Sequence, residues 1–537
     1  MFRPYVQDDW RVTPNLTLNL GLAWSLVTPV KEAQNRQANF NFLTGQYLIA
    51  GPAVTGCTTC VQSDSGVGVQ FDKTALEPRI GLAWKVLGSQ KTALRAGYAI
   101  YHDSAWNQGA QGLWLNPPYF AESDNFFGLA PFQDIGTLNC GFGFPAGCGI
   151  GAAFLPIISP PLNPDNFTGT RLWQNLNFKQ GRVQQFNVNL EQQLPGQIVL
   201  TAGYAGSRSH HILVSGVNVN VSSPSQCFLT PADPGYDPNY SLGCGPRHTG
   251  INAPDGPFTI VGNFTDSGNA TYNSFQVKAE TKSARHGLYA LVGYTYSHAY
   301  DSGFADNLGT TPGATYWPLP GTQKIDWARS QIDLHNQFTA SVIYDLPFGK
   351  GKAYGGGWSG PVNAAFGDWQ VTVIEKITSG FPLFVVNSNN GSGVFFQWNG
   401  NSLNRPDQVG DPNKAGPVAA NPGCTAPTQI HTTANWFNPC AFVAAPAGEL
   451  GTANRAPVTG PDFVNTDMSL IKHFRVTERV GMEFRAEFFN LFNHAQFFLP
   501  GSSLTAQQDI NASSSFAKVT QTVNNPRLIQ FALKLSF

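Results

Sequence analysis

Charge is what this sequence has least of. Of its 537 residues, 32 are Lys or Arg and 33 are Asp or Glu, a charged share of 12% against roughly 25% in soluble domains. Such a chain is short of ordinary solvent-facing surface. Long apolar runs are also lacking: no stretch approaches the roughly 18 residues that a spanning helix needs, which excludes a helical membrane protein. With a net charge of −1 and a pI near 6.8 there is no electrostatic field for nucleic acid, which is excluded as a partner. The opening Met1-Phe2-Arg3-Pro4-Tyr5-Val6-Gln7-Asp8-Asp9-Trp10 has neither the basic start nor the apolar core of a secretory signal, so either the protein stays inside or its true N-terminus lies upstream. What is present is 42% hydrophobic residues with 56 Gly, 38 Pro and 12% aromatics, enough apolar material for a large folded body. Soluble or outer-membrane β-rich folds with polar loops remain.

Apolar residues recur at every second position, the period of a strand with two unlike faces. From Val480 the even positions read Val480, Met482, Phe484, Ala486, Phe488, while the odd ones read Gly481, Glu483, Arg485, Glu487. Glu483, Arg485 and Glu487 therefore belong on a wet face, because neither lipid nor a dry core accepts them cheaply. Leu16, Leu18, Leu20, Leu22, Trp24 and Leu26 alternate with polar or small residues, as do Phe186, Val188 and Leu190, and the terminal Ile529, Phe531, Leu533, Leu535 and Phe537.

Such segments number about thirteen, near 2–10, 15–27, 78–86, 91–101, 181–194, 197–206, 271–284, 288–299, 332–346, 368–386, 463–474, 480–492 and 527–537. Most reach the roughly ten residues that a tilted membrane strand requires. Short connections (Arg11 to Pro14, Leu87 to Gln90, Pro195-Gly196, Arg285 to Gly287, Arg475 to Arg479, and the longer Gly-rich 347–367) alternate with long ones over 28–77, 102–180, 207–270, 300–331, 387–462 and 493–526. The expected fold is all-β: an antiparallel transmembrane β-barrel wall with short periplasmic turns and long extracellular loops. A soluble sandwich or propeller also alternates, but its strands are shorter and its loops less one-sided. Trp10, Trp24, Trp84, Tyr98, Tyr101, Tyr204, Tyr296, Tyr344, Trp369 and Phe492 lie near strand ends, where interfacial girdles sit.

The eight cysteines fall two to a loop: Cys57 and Cys60, Cys140 and Cys148, Cys227 and Cys244, Cys424 and Cys440. The economical reading is four local disulfides formed in an oxidising compartment. Cys57-Thr58-Thr59-Cys60 also matches a redox or zinc motif, but no second CxxC or His cluster accompanies it. No GxSxG, HExxH, phosphate loop or dinucleotide fingerprint is present, so no enzymatic function, catalytic residue, cofactor or resident metal is expected. His210-His211 reads as a solvated loop pair rather than a metal site. Glu483 and Glu487 stand about 13 Å apart on a strand, too far for a glycosidase pair. Trp106, Trp114, Trp173, Phe126, Phe127, Phe396 and Trp398 give the loops aromatic surface, either for a ligand or for loop packing.

Several blocks resemble successive strands of the Oar-like TonB-dependent outer-membrane transporters: Tyr5-Val6-Gln7-Asp8-Asp9-Trp10-Arg11-Val12-Thr13-Pro14-Asn15-Leu16-Thr17-Leu18-Asn19-Leu20-Gly21, Pro78-Arg79-Ile80-Gly81-Leu82-Ala83-Trp84 and Leu94-Arg95-Ala96-Gly97-Tyr98. Further matching blocks are Tyr344-Asp345-Leu346-Pro347-Phe348-Gly349-Lys350-Gly351, Trp436-Phe437-Asn438-Pro439 and Phe484-Arg485-Ala486-Glu487-Phe488-Phe489-Asn490-Leu491-Phe492-Asn493. The ending Phe531-Ala532-Leu533-Lys534-Leu535-Ser536-Phe537 also matches. The resemblance covers nearly all strands in order and implies a plugged barrel of about 22 strands. In such proteins a carboxypeptidase-regulatory-like domain often precedes a plug that engages TonB. Residues 1–537 are then expected to be the C-terminal part of the barrel, with the signal peptide, that leading domain and the plug not present. The odd strand count agrees. The implied partners are outer-membrane lipid, the TonB complex through the N-terminal part, an unidentified ligand, and the outer-membrane assembly machinery, which would read the terminal Phe531, Leu533, Leu535 and Phe537. The implied function is uptake of a large or scarce ligand across the outer membrane; the alternative is a surface-display or adhesin barrel without transport.

Overall fold

The computed structural model describes residues 1–103, 113–119, 163–166, 171–218, 261–281, 287–303, 323–388, 404–446, 448–475, 480–501 and 507–537. Thirteen strands form one antiparallel meander in chain order: β1 (Tyr5–Thr13), β2 (Leu16–Trp24), β3 (Leu76–Lys85), β4 (Thr92–Asp103), β5 (Gly181–Leu194), β6 (Ile198–Asn218), β7 (Val261–Thr281), β8 (Leu288–Asp301), β9 (Asn336–Asp345), β10 (Trp369–Thr378), β11 (Phe463–Arg475), β12 (Gly481–Phe489) and β13 (Leu528–Ser536). Tight connections lie at one end, long ones at the other. The β5–β6 turn shows why a short one suffices: of the three residues between Leu194 and Ile198, Gly196 takes φ +85° and Gln197 φ +62°, left-handed conformations that let two twisted strands reverse tightly.

The register converts the sequence period into two surfaces. One row of paired residues runs Leu16, Trp84, Leu94, Leu190, Ala202, Val277, Tyr294, Phe338, Ile377, Val464 from β2 to β11, apolar at every step. The adjacent row, on the other face, runs Thr17, Ala83, Arg95, Asn189, Gly203, Gln276, Thr295, Gln337, Thr378, Phe463. A slip of one residue in any pairing would exchange these faces, so the pattern itself pins the register. The apolar face lacks cover from the chain: Ile80 is 54% exposed and Leu533 63%, as a lipid-facing wall requires.

Where the long connections are described, they carry cores of their own. Residues Ala38–Asn41, Gln46–Ile49 and Cys60–Gln62 form a three-stranded sheet over Phe40, Tyr47 and Ile49. Pro382–Val386 pairs with Val458–Thr459 and Gln507–Asp509 above a core that includes Leu383, Phe384, Phe437 and Phe442. Together these segments cap the end of the wall where the long connections lie.

Three expectations are corrected. The connection at 207–270 is partly strand: β6 and β7 are 21 residues each, because residues outside the apolar alternation, such as Asn218 and Gly262, continue to pair beyond the lipid band, with bulges near Ile212. His210 and His211 therefore sit within β6, at its bulge, not beyond a strand end. The segment 368–386 is not one strand, since Gly380 donates to Asp462 and Gly460 to the Phe381 carbonyl, turning the chain out of the wall into the cap. Tyr101 belongs to the wet face, where its ring lies 5.0 Å from the Arg79 guanidinium, and not to the outer girdle.

Among the described residues, β1 pairs only with β2 and β13 only with β12. Two open edges in lipid leave backbone groups unpaired at several kcal/mol each. The 537-residue chain alone is thus expected to self-associate in detergent by edge pairing; size-exclusion chromatography giving a monodisperse monomer would contradict this.

Candidate ligand-binding site

A wall of this kind offers two places for a ligand, its wet face and its cap. On the wet face β12 sets Glu483 opposite His473 and Lys534, Arg485 opposite Ile471 and Ala532, and Glu487 opposite Ser469 and Gln530. Arg485 Nε donates to Glu483 and His473 Nδ1 lies 3.6 Å from it, so the three residues form a ladder of balanced charge. Arg95 with Glu191 at 3.5 Å and Lys278 with Glu280 at 3.2 Å repeat the pattern on other strands. The carboxylates are separated by cations, an arrangement suited to sliding polar contacts and not to acid–base catalysis. Phe531, Leu533 and Leu535 occupy the opposite face, against Ala486, Phe484 and Met482, and Phe537 is 98% exposed.

The cap is held by local and distant ties. Cys57 is bonded to Cys60 and Cys424 to Cys440, with Cα separations of 5.5 and 5.6 Å; Cys140, Cys148, Cys227 and Cys244 lie outside the described residues. Asp165 clamps the first disulfide loop by accepting from the Thr58 N–H (2.5 Å) and hydroxyl (2.9 Å) and the Thr59 N–H (3.1 Å). Burial alone would raise the Asp165 carboxyl, but these hydrogen bonds outweigh it and hold it below the usual range. Of the loop aromatics, Trp173 packs 5.7 Å from the Phe42 ring, Trp114 is 39% exposed, and Trp106, Phe126, Phe127, Phe396 and Trp398 lie outside the described residues.

Sequence reasoning missed the arginine clamps, which no local spacing announces. Arg455, 2% exposed, binds the Asp301 carboxylate, donates to the Asp301 carbonyl at 3.0 Å and to the Asp326 carbonyl at 3.2 Å. Arg405 lies 3.4 Å from the Asp326 carboxylate. Arg329 reaches Asp333 at 2.7 Å and the Thr459 hydroxyl at 2.8 Å. These contacts tie the end of β8 and the segment that follows it to the cap core. Donor atoms of His298, Asp333 and His335 also come within 4.8 Å of one another, but Asp333 already accepts from Ala299 N–H and Arg329. Burial, and then Arg329, hold the His335 imidazole below its ordinary value, neutral beside that carboxylate.

Two outcomes follow. Asp301→Asn leaves the Arg455 guanidinium buried without its counter-charge and should destabilise the cap by about 3–5 kcal/mol, seen as faster proteolysis of 404–460; unchanged cleavage would refute the clamp. Because the Asp165 pKa is depressed in the folded state, its contribution is complete above the ordinary carboxylate range and is lost as pH falls through the folded value. Protection of the 57–60 loop, read by hydrogen exchange, should persist at neutral pH and drop in acid, and Asp165→Asn should reduce protection at neutral pH and remove most of its drop in acid.

The family described as the outer membrane beta barrel domain matches over residues 1–530, and the chain belongs to that family. No curated protein matches the sequence. Among solved structures, it is similar to the outer-membrane transporter YddB of Escherichia coli (9% identity, 99% of this chain and 44% of that one, TM-score 0.43). It is also similar to the siderophore receptor PirA of Acinetobacter baumannii (11% identity, 100% and 45%, TM-score 0.40) and the pyoverdine receptor FpvA of Pseudomonas aeruginosa (9% identity, 100% and 42%, TM-score 0.39). The chain spans less than half the length of each. It is an outer-membrane β-barrel protein.

Proposed function

We propose that this chain forms part of the wall and cap of an Oar-like, TonB-dependent transporter that takes up a ligand too large or too scarce for passive entry. Energy would arrive from the TonB complex through an N-terminal plug, and the terminal aromatic would be read by the assembly machinery. The observation that carries the reading is the polar row crossing β2 to β11 beneath a packed cap. A wet face continuous over ten strands suits a wide lumen that must be filled by a plug or by water, and a cap with packed cores of its own presents loop surface at its mouth. The cap's rigidity also favours a second reading, a surface-display or adhesin barrel, since a ligand platform needs no lumen.

The DNA upstream of the Met1 codon, read in frame, decides between them. Transport predicts a continuous frame through a plug and a TonB-contacting segment. A stop codon with a ribosome-binding site immediately upstream would overturn it in favour of the surface barrel.

A further inference from the structure

The apolar rows of β3 and β4 do not end in bare rim. On β3 the lipid-facing series Trp84, Leu82, Ile80 continues through Pro78 to Leu76, and on β4 Leu94, Ala96, Tyr98 continues to Ile100. One step further on this face, His102 pairs across to Arg182 of β5. From Leu94 to His102 is about nine residues, the span of a membrane strand, so His102 and Arg182 stand at the outer boundary of the lipid. There the segments 72–76 and 179–182 enclose a cavity of about 440 Å³, floored by Leu76, Pro78 and Ile100 and walled by His102, Lys179, Arg182 and His211.

Of the cations around it, Arg182 is the one that no described acid meets. Asp72 is paired with Lys179 at 3.6 Å, Glu77 with Arg3 and, at 3.6 Å, with Arg79, and Asp266 with His211 at 2.9 Å. Arg182 has no acidic partner among the described residues, and its Nε is buried without an acceptor, as is His102 Nδ1. An unpaired guanidinium at a lipid-facing position is costly unless an anion meets it.

We propose that this cavity binds the phosphate headgroup of an outer-leaflet lipid. Arg182 would take the phosphate oxygens through its planar donor fork, with Lys179 at the mouth, while the acyl chains continue down the Leu76, Pro78 and Ile100 surface onto the lipid-facing rows. A phosphodiester whose headgroup carries no cation supplies the negative charge that Arg182 lacks, and the apolar floor selects a lipid over a free ion.

The test uses the full chain inserted in phosphatidylcholine vesicles, where it reads equally for single or edge-paired copies. Trp24, whose indole donates to the Lys73 carbonyl beside the cavity at 2.9 Å, reports on brominated lipids by quenching. Brominated phosphatidylglycerol, an anionic phosphodiester, should quench at a concentration about fivefold lower than brominated phosphatidylcholine, whose phosphodiester is neutralised by its own choline, and Trp24→Phe should remove that difference. Arg182→Gln should abolish the selectivity, Arg182→Lys should keep part of it, and Lys352→Gln, at the opposite end of the wall, should leave it unchanged. Heat-modifiable electrophoretic mobility verifies that each variant is folded; if Arg182→Gln is not, Lys179→Gln carries the test with a partial loss. Equal quenching by the two lipids, or selectivity surviving in Arg182→Gln, overturns the proposal. So does millimolar inorganic phosphate displacing the lipid, which would make the cavity an ion site.

Discussion

Backbone hydrogen bonding in a medium without water is the constraint on which the rest of this structure depends. Each N–H and C=O in the lipid layer must find a partner within the protein, and a meander of antiparallel strands does so with neighbours in sequence order. Once β2 lies against β1 and β3, its side chains can point only toward lipid or away from it. The row from Leu16 to Val464 and the row from Thr17 to Phe463 are two readings of the same ladder. Hairpin geometry then places every odd connection at one end and every even one at the other, which is why long connections collect into a single cap.

The cap obeys a different economy. It lies in water, so it needs a core, and among the described residues it builds them around Phe40, Leu172 and Phe384. Its described disulfides are local: Cys57 and Cys60 are three positions apart and Cys424 and Cys440 sixteen, so they stiffen loops without tying them to the wall. That task falls to arginine. Arg455 reaches Asp301 across 154 positions of sequence while its guanidinium lies 5.6 Å from the Phe384 ring. A delocalised, planar cation can spread several donors over carbonyls and a carboxylate while stacking on an aromatic face, which a lysine cannot do.

The division between what was legible in the sequence and what was not follows from these two regimes. Strand existence, order and facing were readable because period two is a local property enforced along each strand. Glu483, Arg485 and Glu487 fall on one face for that reason alone. Strand ends were less readable, because beyond the lipid band pairing no longer requires apolar alternation: β6 extends through Ser209 and His210 on hydrogen bonding alone, and at Gly380 a contact with a segment 80 residues away decides where β10 stops. The clamps were invisible. Arg405 and Arg455 lie in aperiodic loops, and their acids belong to the end of β8 and the segment that follows it.

Exceptions to the facing rule show how strictly the wall is otherwise built. Glu375 faces the apolar side, yet it accepts from the Thr466 hydroxyl on the adjacent strand. Lys472 also falls on that side, near the tight-turn rim, but it is 1% exposed, donates to the Gly367 carbonyl, and sits between the rings of Trp369 and Phe474 at 5.8 and 5.0 Å. Both polar groups are thus satisfied from within the protein, as a lipid-facing position demands. Arg182 is different in kind: its neighbours Asp72, Glu77 and Asp266 are committed elsewhere, and its Nε has no acceptor. A wall that satisfies Glu375 and Lys472 from within and leaves Arg182 open at the headgroup level has a place for an anion supplied by the membrane.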